Sequence, residues 1–339
     1  MPALTAGIEN QGLNNYVPYD DATVLKNVIS ISANGANTGA TFYQSNEFTV
    51  LQDAYAIQWD YGDRSLTDNQ YLFITSCIAK TVYGNYEWTN KAGWEKIKNN
   101  IIMLPESDSG SIDFDFMESF VAELEAQRVA ELEAYLSVTG LKDTHLSLEE
   151  EQALFNFNKI TFDEYKLTDV FDIKNAGNIL SKDIVENSGK TPYLCASSEN
   201  NAVSSYISYK DELKTKGNCI FIGGKTFVVT YQESDFFSND SHNLALYLKE
   251  AEYQNKYTQM YLAACVYKSL NHKYTWGNSI SNKKAQKDYI SLPTKDGKID
   301  FNSMSTLISA IHKLVIKDVV RYADEKIEKT KEAINSNTN

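Results

Sequence analysis

One turn of the sequence has residue types that could hold a phosphate group. Gly223-Gly224-Lys225-Thr226 resembles the end of a nucleotide-binding P-loop. That loop needs a further glycine five residues before Gly224, where this chain has Cys219. It also needs a helix after the turn, whereas Phe227-Val-Val-Thr is typical of a strand. These two departures argue against nucleotide binding here.

Other arrangements that could do catalytic chemistry are weak. Glu212-Leu-Lys214 fits the last part of a nuclease carboxylate–lysine motif, but such triplets are common in charged loops. Thr191-Pro-Tyr lacks the second proline of an adenine methyltransferase motif, and it also lacks the Asn or Asp that precedes the prolines there. Glu149-Glu150-Glu151 is typical of a solvated linker. We therefore predict that this chain is not an enzyme and holds no cofactor.

The histidines and cysteines show no spacing that favours metal binding. They are His145, His242, His272, His312, Cys77, Cys195, Cys219 and Cys265. No pair of histidines has a ligand spacing, and no CxxC occurs. The sequence predicts reduced core thiols and no metal site.

Composition predicts a globular chain of two domains. Its 339 residues are 42% hydrophobic and 23% charged, and no apolar run approaches the length of a membrane span. We therefore expect a cytoplasmic protein, with a frayed tail at 335–339. The net charge of −13 argues against a nucleic-acid partner, but it is unevenly distributed. Residues 108–164 carry a net −11, whereas 268–298 carry a net +5.

The chain repeats itself. Residues 2–16 and 192–206 share six of fifteen amino acids at an offset of 190. Tyr86-Glu-Trp88 matches Tyr274-Thr-Trp276 at an offset of 188, and further matches follow in the same order up to residues 117 and 304. Such preserved order indicates two copies of one unit, with a period too long for a solenoid.

Each copy begins with short predicted strands and ends with a long amphipathic helix. Apolar residues recur at three- and four-residue steps in both helices. They are Met117, Phe120, Val121, Leu124, Leu132 and Leu136 in the first, and Met304, Leu307, Ile308, Ile311, Leu314, Val315, Val319 and Tyr322 in the second. Because both helices carry a matching apolar stripe, we favour an antiparallel coiled coil between them. The alternative is that each helix packs only on its own globular part.

This layout resembles the specificity subunits of type I restriction–modification systems and the related segments of type IIB or fused methyltransferase–nuclease enzymes. In the second copy, residues 162–177 are similar to the opening of a target-recognition domain. Thr191-Pro-Tyr-Leu194 with Glu199-Asn-Asn201 looks like the following strand and loop, and residues 292–301 look like the exit into the spacer helix. The segment 160–191 has no counterpart in the first copy, which is short by about thirty residues. Either the reading frame begins late or a preceding polypeptide supplies the missing strands.

The resemblance implies an α+β fold in which two target-recognition domains alternate with two long spacer helices that form an antiparallel coiled coil. The expected boundaries are 1–112 for the first recognition domain, 113–140 for the first spacer helix, 141–159 for a linker, 160–299 for the second recognition domain and 300–335 for the second helix.

The resemblance also implies two DNA-contacting surfaces at a fixed separation, and therefore a bipartite target. Amide and cationic side chains from loops recognise base edges, and lysine or hydroxyl groups hold phosphate. The candidate contacts are Asn37, Thr38, Tyr86, Asn90 and Lys91 in the first copy, and Lys225, Thr226, Lys273, Tyr274, Asn278, Lys283 and Lys284 in the second. For Trp88 and Trp276, we favour a structural role in the core or beneath the loop.

The partners implied by the family are double-stranded DNA and two SAM-dependent adenine-N6 methyltransferase subunits, with an ATP-dependent restriction motor as a further candidate. The acidic balance motivates a competing hypothesis, in which the chain mimics DNA and occupies the methyltransferase as a decoy. Fusion to catalytic domains in a longer polypeptide is a third hypothesis.

Overall fold

The fold is of the mixed α+β type and divides into two compact units. A computed structural model describes residues 1–20 and 22–336, with side chains to residue 329. Unit 1 comprises residues 1–135 with the end of the chain from Ala323, and unit 2 comprises Leu136–Tyr322.

Unit 1 contains two small sheets and a helical layer. Its elements are β1 (Pro2–Leu4), β2 (Leu13–Tyr16), β3 (Val28–Ser32), β4 (Thr41–Gln44), β5 (Thr49–Val50), β6 (Ala54–Ile57), α1 (Asp68–Val82), α2 (Trp94–Ile97) and the greater part of α3 (Phe114–Val138). The sheet orders are β2-β1-β5, in which β1 and β5 are parallel, and β4-β3-β6, which is antiparallel.

Unit 2 contains three sheets. Its elements are α4 (Leu148–Phe155), β7 (Thr161–Lys166), α5 (Leu167–Val170), β8 (Phe171–Asn175), β9 (Thr191–Leu194), β10 (Val203–Ile207), β11 (Cys219–Ile222), β12 (Val229–Gln232), β13 (Phe237–Ser238), β14 (Leu244–Leu248), α6 (Lys256–Leu270), α7 (Asn282–Ala285), β15 (Tyr289–Lys295), β16 (Lys298–Ile299) and most of α8 (Phe301–Ser336). The sheet orders are β10-β9-β13, β12-β11-β14-β8 and β16-β15-β7.

The internal repeat seen in the sequence is also present in the strand pairing. The sheet β2-β1-β5 has the same order as β10-β9-β13, and β4-β3-β6 matches the first three strands of β12-β11-β14-β8. Even the turn after the first strand is repeated. Asn10 and Gln11 have φ values of 47° and 57°, and Asn200 and Asn201 have 49° and 53°. These left-handed conformations suit asparagine, which explains the shared Glu-Asn pair.

Each unit has a core between one sheet and its long central helix. In unit 1, β3 packs with the buried face of α1, which includes Ile74 and Val82. Thr67 begins α1 with a capping box in which its hydroxyl accepts from the Gln70 amide. In unit 2, β11 and β14 pack with α6 in a larger cluster that includes Leu246 and Val266.

Both long helices begin at an aspartate cap. Asp113 accepts from the Phe116 amide at 2.8 Å, and Asp300 accepts from the Ser303 amide at 3.0 Å. Gly140 has a φ of 69° and the Leu141 amide bonds to the Leu136 carbonyl, which ends the helix α3. The predicted tail at 335–339 lies partly outside the described residues, since α8 continues to Ser336.

The acidic stretch after α3 is not a solvated linker throughout. Glu149 and Glu151 are exposed, but Glu150 is buried on α4. Its carboxylate accepts from Ser309 Oγ at 2.6 Å and from Lys313 Nζ at 3.0 Å. The prediction was wrong for Glu150 because residues more than 150 positions away supply its partners.

The four cysteines are free thiols, as predicted. Cys219 and Cys265 are buried, and burial raises the pKa of each thiol to about 12. Cys77 and Cys195 are half-buried rather than in the core. Among the described helices, none is long and apolar enough to cross a membrane.

Candidate nucleic-acid interface

Each unit presents the same tight turn after its central helix. We call these turns, at residues 87–90 and 275–278, the tryptophan turns. In the first, Glu87 and Asn90 form an isolated antiparallel bridge, and in the second Thr275 and Asn278 do the same. A tryptophan occupies the second position of both turns.

A lysine–asparagine hydrogen bond fastens both tryptophan turns. Lys96 Nζ donates to Asn90 Oδ1 at 2.7 Å, and Lys284 Nζ donates to Asn278 Oδ1 at the same distance. Lys284 also reaches the Ser279 carbonyl at 2.8 Å. Both lysines lie on the short helix that follows, α2 or α7. The repeat therefore preserves side-chain geometry as well as topology.

A tyrosine anchors the base of each turn. Tyr86 donates to Asn100 Oδ1 at 3.1 Å, whereas Tyr274 donates to the buried carboxylate of Asp288. Burial and the Asp288 carboxylate raise the pKa of Tyr274, so the phenol stays protonated. Tyr274 is buried and Tyr86 is half-buried. This placement favours a supporting role for the Tyr274 ring.

The two tryptophans are exposed, which overturns the expectation that they lie in the core. Trp88 is 65% exposed and Trp276 is 74% exposed. Lys91 Nζ lies 5.8 Å from the centroid of the Trp88 ring. A large apolar ring that stays mostly exposed gains little from folding, and the repeat has one at the same position of both turns.

The hairpin turn between β11 and β12, residues 223–228, lies beside the second tryptophan turn. The Ile280 amide bonds to the Gly224 carbonyl at 3.1 Å, and the Phe227 and Tyr274 rings are 5.3 Å apart. A Cβ on Gly224 would lie 2.4 Å from the His242 carbonyl oxygen, so only glycine fits there.

Lys225 and Thr226 on this hairpin turn already have protein partners. Lys225 Nζ lies 2.8 Å from Asp240 Oδ2, and Thr226 Oγ1 donates to the Ala196 carbonyl at 2.9 Å. Burial alone would raise the pKa of Asp240, but hydrogen bonds from Lys225 and His242 lower it to about 2. The ion pair holds Lys225 at the surface, where it is half-exposed.

Unit 1 links its hairpin turn, residues 33–40, to its tryptophan turn in a related way. Thr38 is buried and its hydroxyl accepts from the Ala92 amide at 2.9 Å. Asn37 is half-buried next to it. The structure therefore brings Asn37 and Thr38 close to Asn90 and Lys91, but the Thr38 hydroxyl is occupied within the fold.

The candidate lysines Lys273 and Lys283 of unit 2 differ in whether their charge is already paired. Lys273 pairs with the buried Asp288 carboxylate, which Tyr274 shares. Lys283 is exposed and, within the described residues, makes no side-chain hydrogen bond or ion pair. Lys283 is therefore a cation whose charge is available to a ligand.

Sequence reasoning missed Lys96, which occupies in unit 1 the position of Lys284. The offset of 188 between the two tyrosine–tryptophan motifs would have identified it. Its partner Asn90 lines a polar cleft of about 440 Å³, together with Asn85, Asn99, Asn100, Thr81, Tyr86 and Ile101. Asparagine amides are suited to adenine edges. The described part of the chain contains no cluster of His, Cys, Asp or Glu arranged for a metal ion.

The chain is similar to known specificity proteins. The family model described as the type I restriction modification DNA specificity domain matches residues 1–134 and 159–321. The S subunit of a type I restriction-modification system from M. genitalium has 13% identity and a TM-score of 0.55, over 99% of this chain and 86% of that chain. This likeness shows a shared fold. No curated protein sequence matches the chain.

Two further solved structures align at lower scores. One comes from work on complex assembly and conformational transition of the type I R-M system, with 13% identity and a TM-score of 0.36 over 94% of this chain and 82% of that chain. The other is the HsdS subunit from Thermoanaerobacter tengcongensis, with 14% identity and a TM-score of 0.33 over 91% and 78%. Both TM-scores lie below the level that indicates a shared fold. The family model covers most of the sequence in two segments that coincide with the repeat. The chain therefore belongs to the family of type I restriction modification DNA specificity domains.

Proposed function

We propose that this chain is the non-catalytic subunit of a cytoplasmic restriction–modification complex and recognises a bipartite DNA target. The observation that carries the proposal is the duplicated tryptophan turn, with the same lysine–asparagine bond of 2.7 Å in each unit of a DNA-specificity family. Two equivalent surfaces on one chain suit a target of two half-sites separated by a gap.

The proposed contacts divide into three groups. Trp88 and Trp276 contact base edges or a base step, as exposed apolar rings can. Lys91 and Lys283 hold phosphates. The remaining candidates line or support the two surfaces: Asn37, Thr38, Tyr86, Asn90, Lys225, Thr226, Lys273, Tyr274, Asn278 and Lys284. Those that are already hydrogen-bonded or ion-paired within the fold act by fixing the shape of the loops.

The proposed domains are those predicted from the sequence, with recognition domains at 1–112 and 160–299, spacer helices at 113–140 and 300–335, and a linker at 141–159. The helices α3 and α8 have 25 and 36 residues. At a rise of about 1.5 Å per residue they are roughly 37 and 54 Å long. Within unit 1, Lys326 Nζ lies 2.5 Å from Glu125 Oε1, so the end of α8 contacts α3.

The proposed partners are double-stranded DNA, two SAM-dependent adenine-N6 methyltransferase subunits and an ATP-dependent restriction motor. The methyltransferases would supply catalysis and SAM. The family match gives no support to the DNA-mimic alternative, because the matched family is defined by DNA specificity.

Methylome sequencing tests the proposal directly. Cells that express this chain with its methyltransferase should carry methylated adenines in one split motif, which disappears when the chain is deleted. A gel-shift series with the assembled complex should give an affinity that falls steeply with salt. Absence of a split motif would sink the proposal, and absence of duplex binding at low salt would favour a mimic.

A further inference from the structure

One loop of unit 2, residues 239–243, lies against the hairpin turn 223–228 and holds none of the candidate DNA contacts. The loop connects β13 to β14. A Cβ on Gly224 would meet the carbonyl oxygen, carbonyl carbon and Cβ of His242, all within 2.7 Å. The Gly224 amide also donates to Asn243 Oδ1 at 2.9 Å. The loop is therefore in direct contact with a turn of the candidate interface.

The carboxylate of Asp240 joins a side chain of the loop to a side chain of the turn. Asp240 Oδ2 lies 2.8 Å from Lys225 Nζ, and Asp240 Oδ1 lies 2.8 Å from His242 Nδ1. The same Oδ1 accepts from the His242 amide at 2.9 Å. The Asp240 side chain is mostly buried, whereas those of Lys225 and His242 are about half exposed. One carboxylate therefore holds the ammonium and the imidazole side by side at the surface.

The contact with Asp240 decides which nitrogen of His242 carries the proton. With a pKa of about 2, Asp240 is ionised at neutral pH, so its oxygens can only accept hydrogen bonds. Nδ1 of His242 is therefore the donor, and in the neutral imidazole Nε2 then has a free electron pair. Within the described residues, Nε2 has no hydrogen-bond partner. His242 presents one unpaired acceptor, whose direction the Asp240 bond fixes.

The backbone of this loop is also held in place. Asn175 Nδ2, at the end of β8, donates to the Ser241 carbonyl at 2.8 Å. Asn282, on the helix α7 that carries Lys283, donates to Asn175 Oδ1 at 3.0 Å. A group that is fixed before binding loses less conformational entropy when it binds. The loop is therefore built to present a side chain in one orientation.

Unit 1 has no histidine at the equivalent place. Its loop between β5 and β6 is Leu51-Gln-Asp53, which is two residues shorter. Asp53 Oδ1 accepts from Asn34 Nδ2 at 2.8 Å, so a carboxylate joins the loop to the hairpin turn in this unit too. Because the link between loop and turn forms without an imidazole in unit 1, the imidazole of unit 2 points to a role beyond the fold.

We propose that His242 is a specificity-determining residue of unit 2, whose Nε2 accepts a hydrogen bond from the amino group of adenine or cytosine. The proposal rests on the proposed function, in which unit 2 contacts one half-site. Those two amino groups are the hydrogen-bond donors that base edges present in the major groove. Asp240 is a positioning residue, because it sets the proton on Nδ1 and the direction of the ring.

Selection of bound sequences from a randomised library tests the proposal, with the full chain assembled with its methyltransferase. His242→Ala should lower the preference at one base pair of the unit 2 half-site at least about fivefold, the loss expected for one base pair. His242→Phe keeps a ring but removes both nitrogens, and it should have the same effect. Unchanged preferences in the unit 1 half-site show that both variants fold.

His145→Ala is the matched control. His145 is an exposed histidine outside the proposed recognition domains, and its Nδ1 lies 3.9 Å from Asp143 Oδ1, beyond hydrogen-bond distance. This variant also removes one exposed imidazole beside an aspartate. It should select the same target as the native chain.

Base analogues identify the group that His242 contacts. At the affected base pair, purine in place of adenine, or pyrimidinone in place of cytosine, removes the amino group. The native chain should bind this duplex at least about fivefold more weakly than the unmodified duplex. His242→Ala should bind the two duplexes equally, because the contact is already lost.

The outcomes separate this proposal from the proposed function. A native complex that selects no split target would overturn both. A split target that His242→Ala selects unchanged would overturn only the role of His242. If the native chain bound the duplex without the amino group normally, but bound weakly to a guanine analogue that lacks the N7 acceptor, the ring would be a donor to guanine and the proposal would be wrong.

Discussion

Asn90 and Asn278 show how a single side chain can fix the shape of a contact surface. Asn278 accepts from Lys284 and donates to the Lys273 carbonyl at 2.9 Å, so its whole amide is used within the fold. Its neighbour Trp276 has a mostly exposed ring. The bonded residues of the turn therefore position the exposed ones, which are better placed to touch DNA.

Replacing each tryptophan should affect one half-site only. We expect Trp276→Ala to reduce discrimination in the half-site contacted by unit 2, and Trp88→Ala to do the same for unit 1. Loss of discrimination at one base pair costs about 1–3 kcal/mol, or roughly 5- to 150-fold in selectivity. Selection of bound sequences from a randomised library measures both half-sites at once.

Phenylalanine at the same positions is the matched control. Trp276→Phe keeps an apolar ring at the tip of the turn and should retain most of the selectivity. If both alanine variants selected the original split target unchanged, the tryptophans would have no part in recognition.

Lys283 should act through its charge. It is exposed on α7, and we expect Lys283→Ala to weaken binding about equally for all sequences. The slope of log affinity against log salt should fall in magnitude by about 0.9, the value for one lost phosphate contact. A gel-shift salt series on specific and random duplexes measures both effects.

Gln286, the residue that directly follows α7, supplies a comparison because it is exposed and uncharged. Gln286→Ala should leave the salt slope unchanged. A change in sequence preference with an unchanged slope in Lys283→Ala would show that the lysine contacts a base instead.

The helix α4 shows how a short element attaches the acidic segment to α8. Lys313 on α8 contacts Glu150, Asp143 Oδ2 at 3.3 Å and the His145 carbonyl at 2.8 Å. The hydrogen bond that Lys313 donates to the Glu150 carboxylate raises the pKa of Lys313. Burial opposes ionisation of Glu150, but hydrogen bonds from Ser309, the Ser147 amide and Lys313 lower its pKa below the ordinary value.

We expect Glu150→Gln to lower the free energy of unfolding at pH 7 by about 1–3 kcal/mol, because buried partners lose a charged acceptor. Since the folded pKa of Glu150 is depressed, its contribution is fully present above the ordinary carboxyl pKa. It is lost as pH falls through the folded value. The difference between native and variant chains should therefore shrink below about pH 4.5.

Chemical denaturation between pH 3 and 7 measures this difference. Glu151→Gln is the matched control, since Glu151 is the exposed neighbour on α4. An equal effect of the two substitutions, or a difference that grows on acidification, would contradict the role assigned to Glu150.

At the scale of the whole molecule, the proposed function assigns to the two long helices the spacing of two DNA half-sites. A seven-residue insertion in each, beside Glu125 in α3 and beside Lys326 in α8, preserves a heptad seam. It adds roughly 10 Å, comparable to about three base pairs. We expect the preferred gap to lengthen while the half-site sequences remain the same.

A library in which fixed half-sites are separated by gaps of different lengths measures the preferred spacing. Five-residue insertions are the comparison, because they rotate one end of each helix by about 140° and misalign the seam. Those variants should bind no spacing well. An unchanged gap after the heptad insertions would mean that the helices do not set the spacing.

Much of the fold was predictable because its signals are local. The period of apolar residues predicted both long helices, whose starts at Asp113 and Asp300 depend on caps that act within one turn. The duplicated Tyr-x-Trp motif predicted two equivalent units. The family resemblance followed from the order of these features, and the family match confirms it.

Only the tertiary structure decided which side chains are buried. Glu150 looked solvated and is buried, Thr38 looked available and is bonded to Ala92, and Trp276 looked like core and is exposed. In each case the partner, or its absence, depends on chain segments distant in sequence. Local sequence patterns therefore determined the secondary-structure elements and the repeat. Packing between distant segments determined which residues of each turn face solvent, because the burial of a side chain depends on all the segments that pack around it.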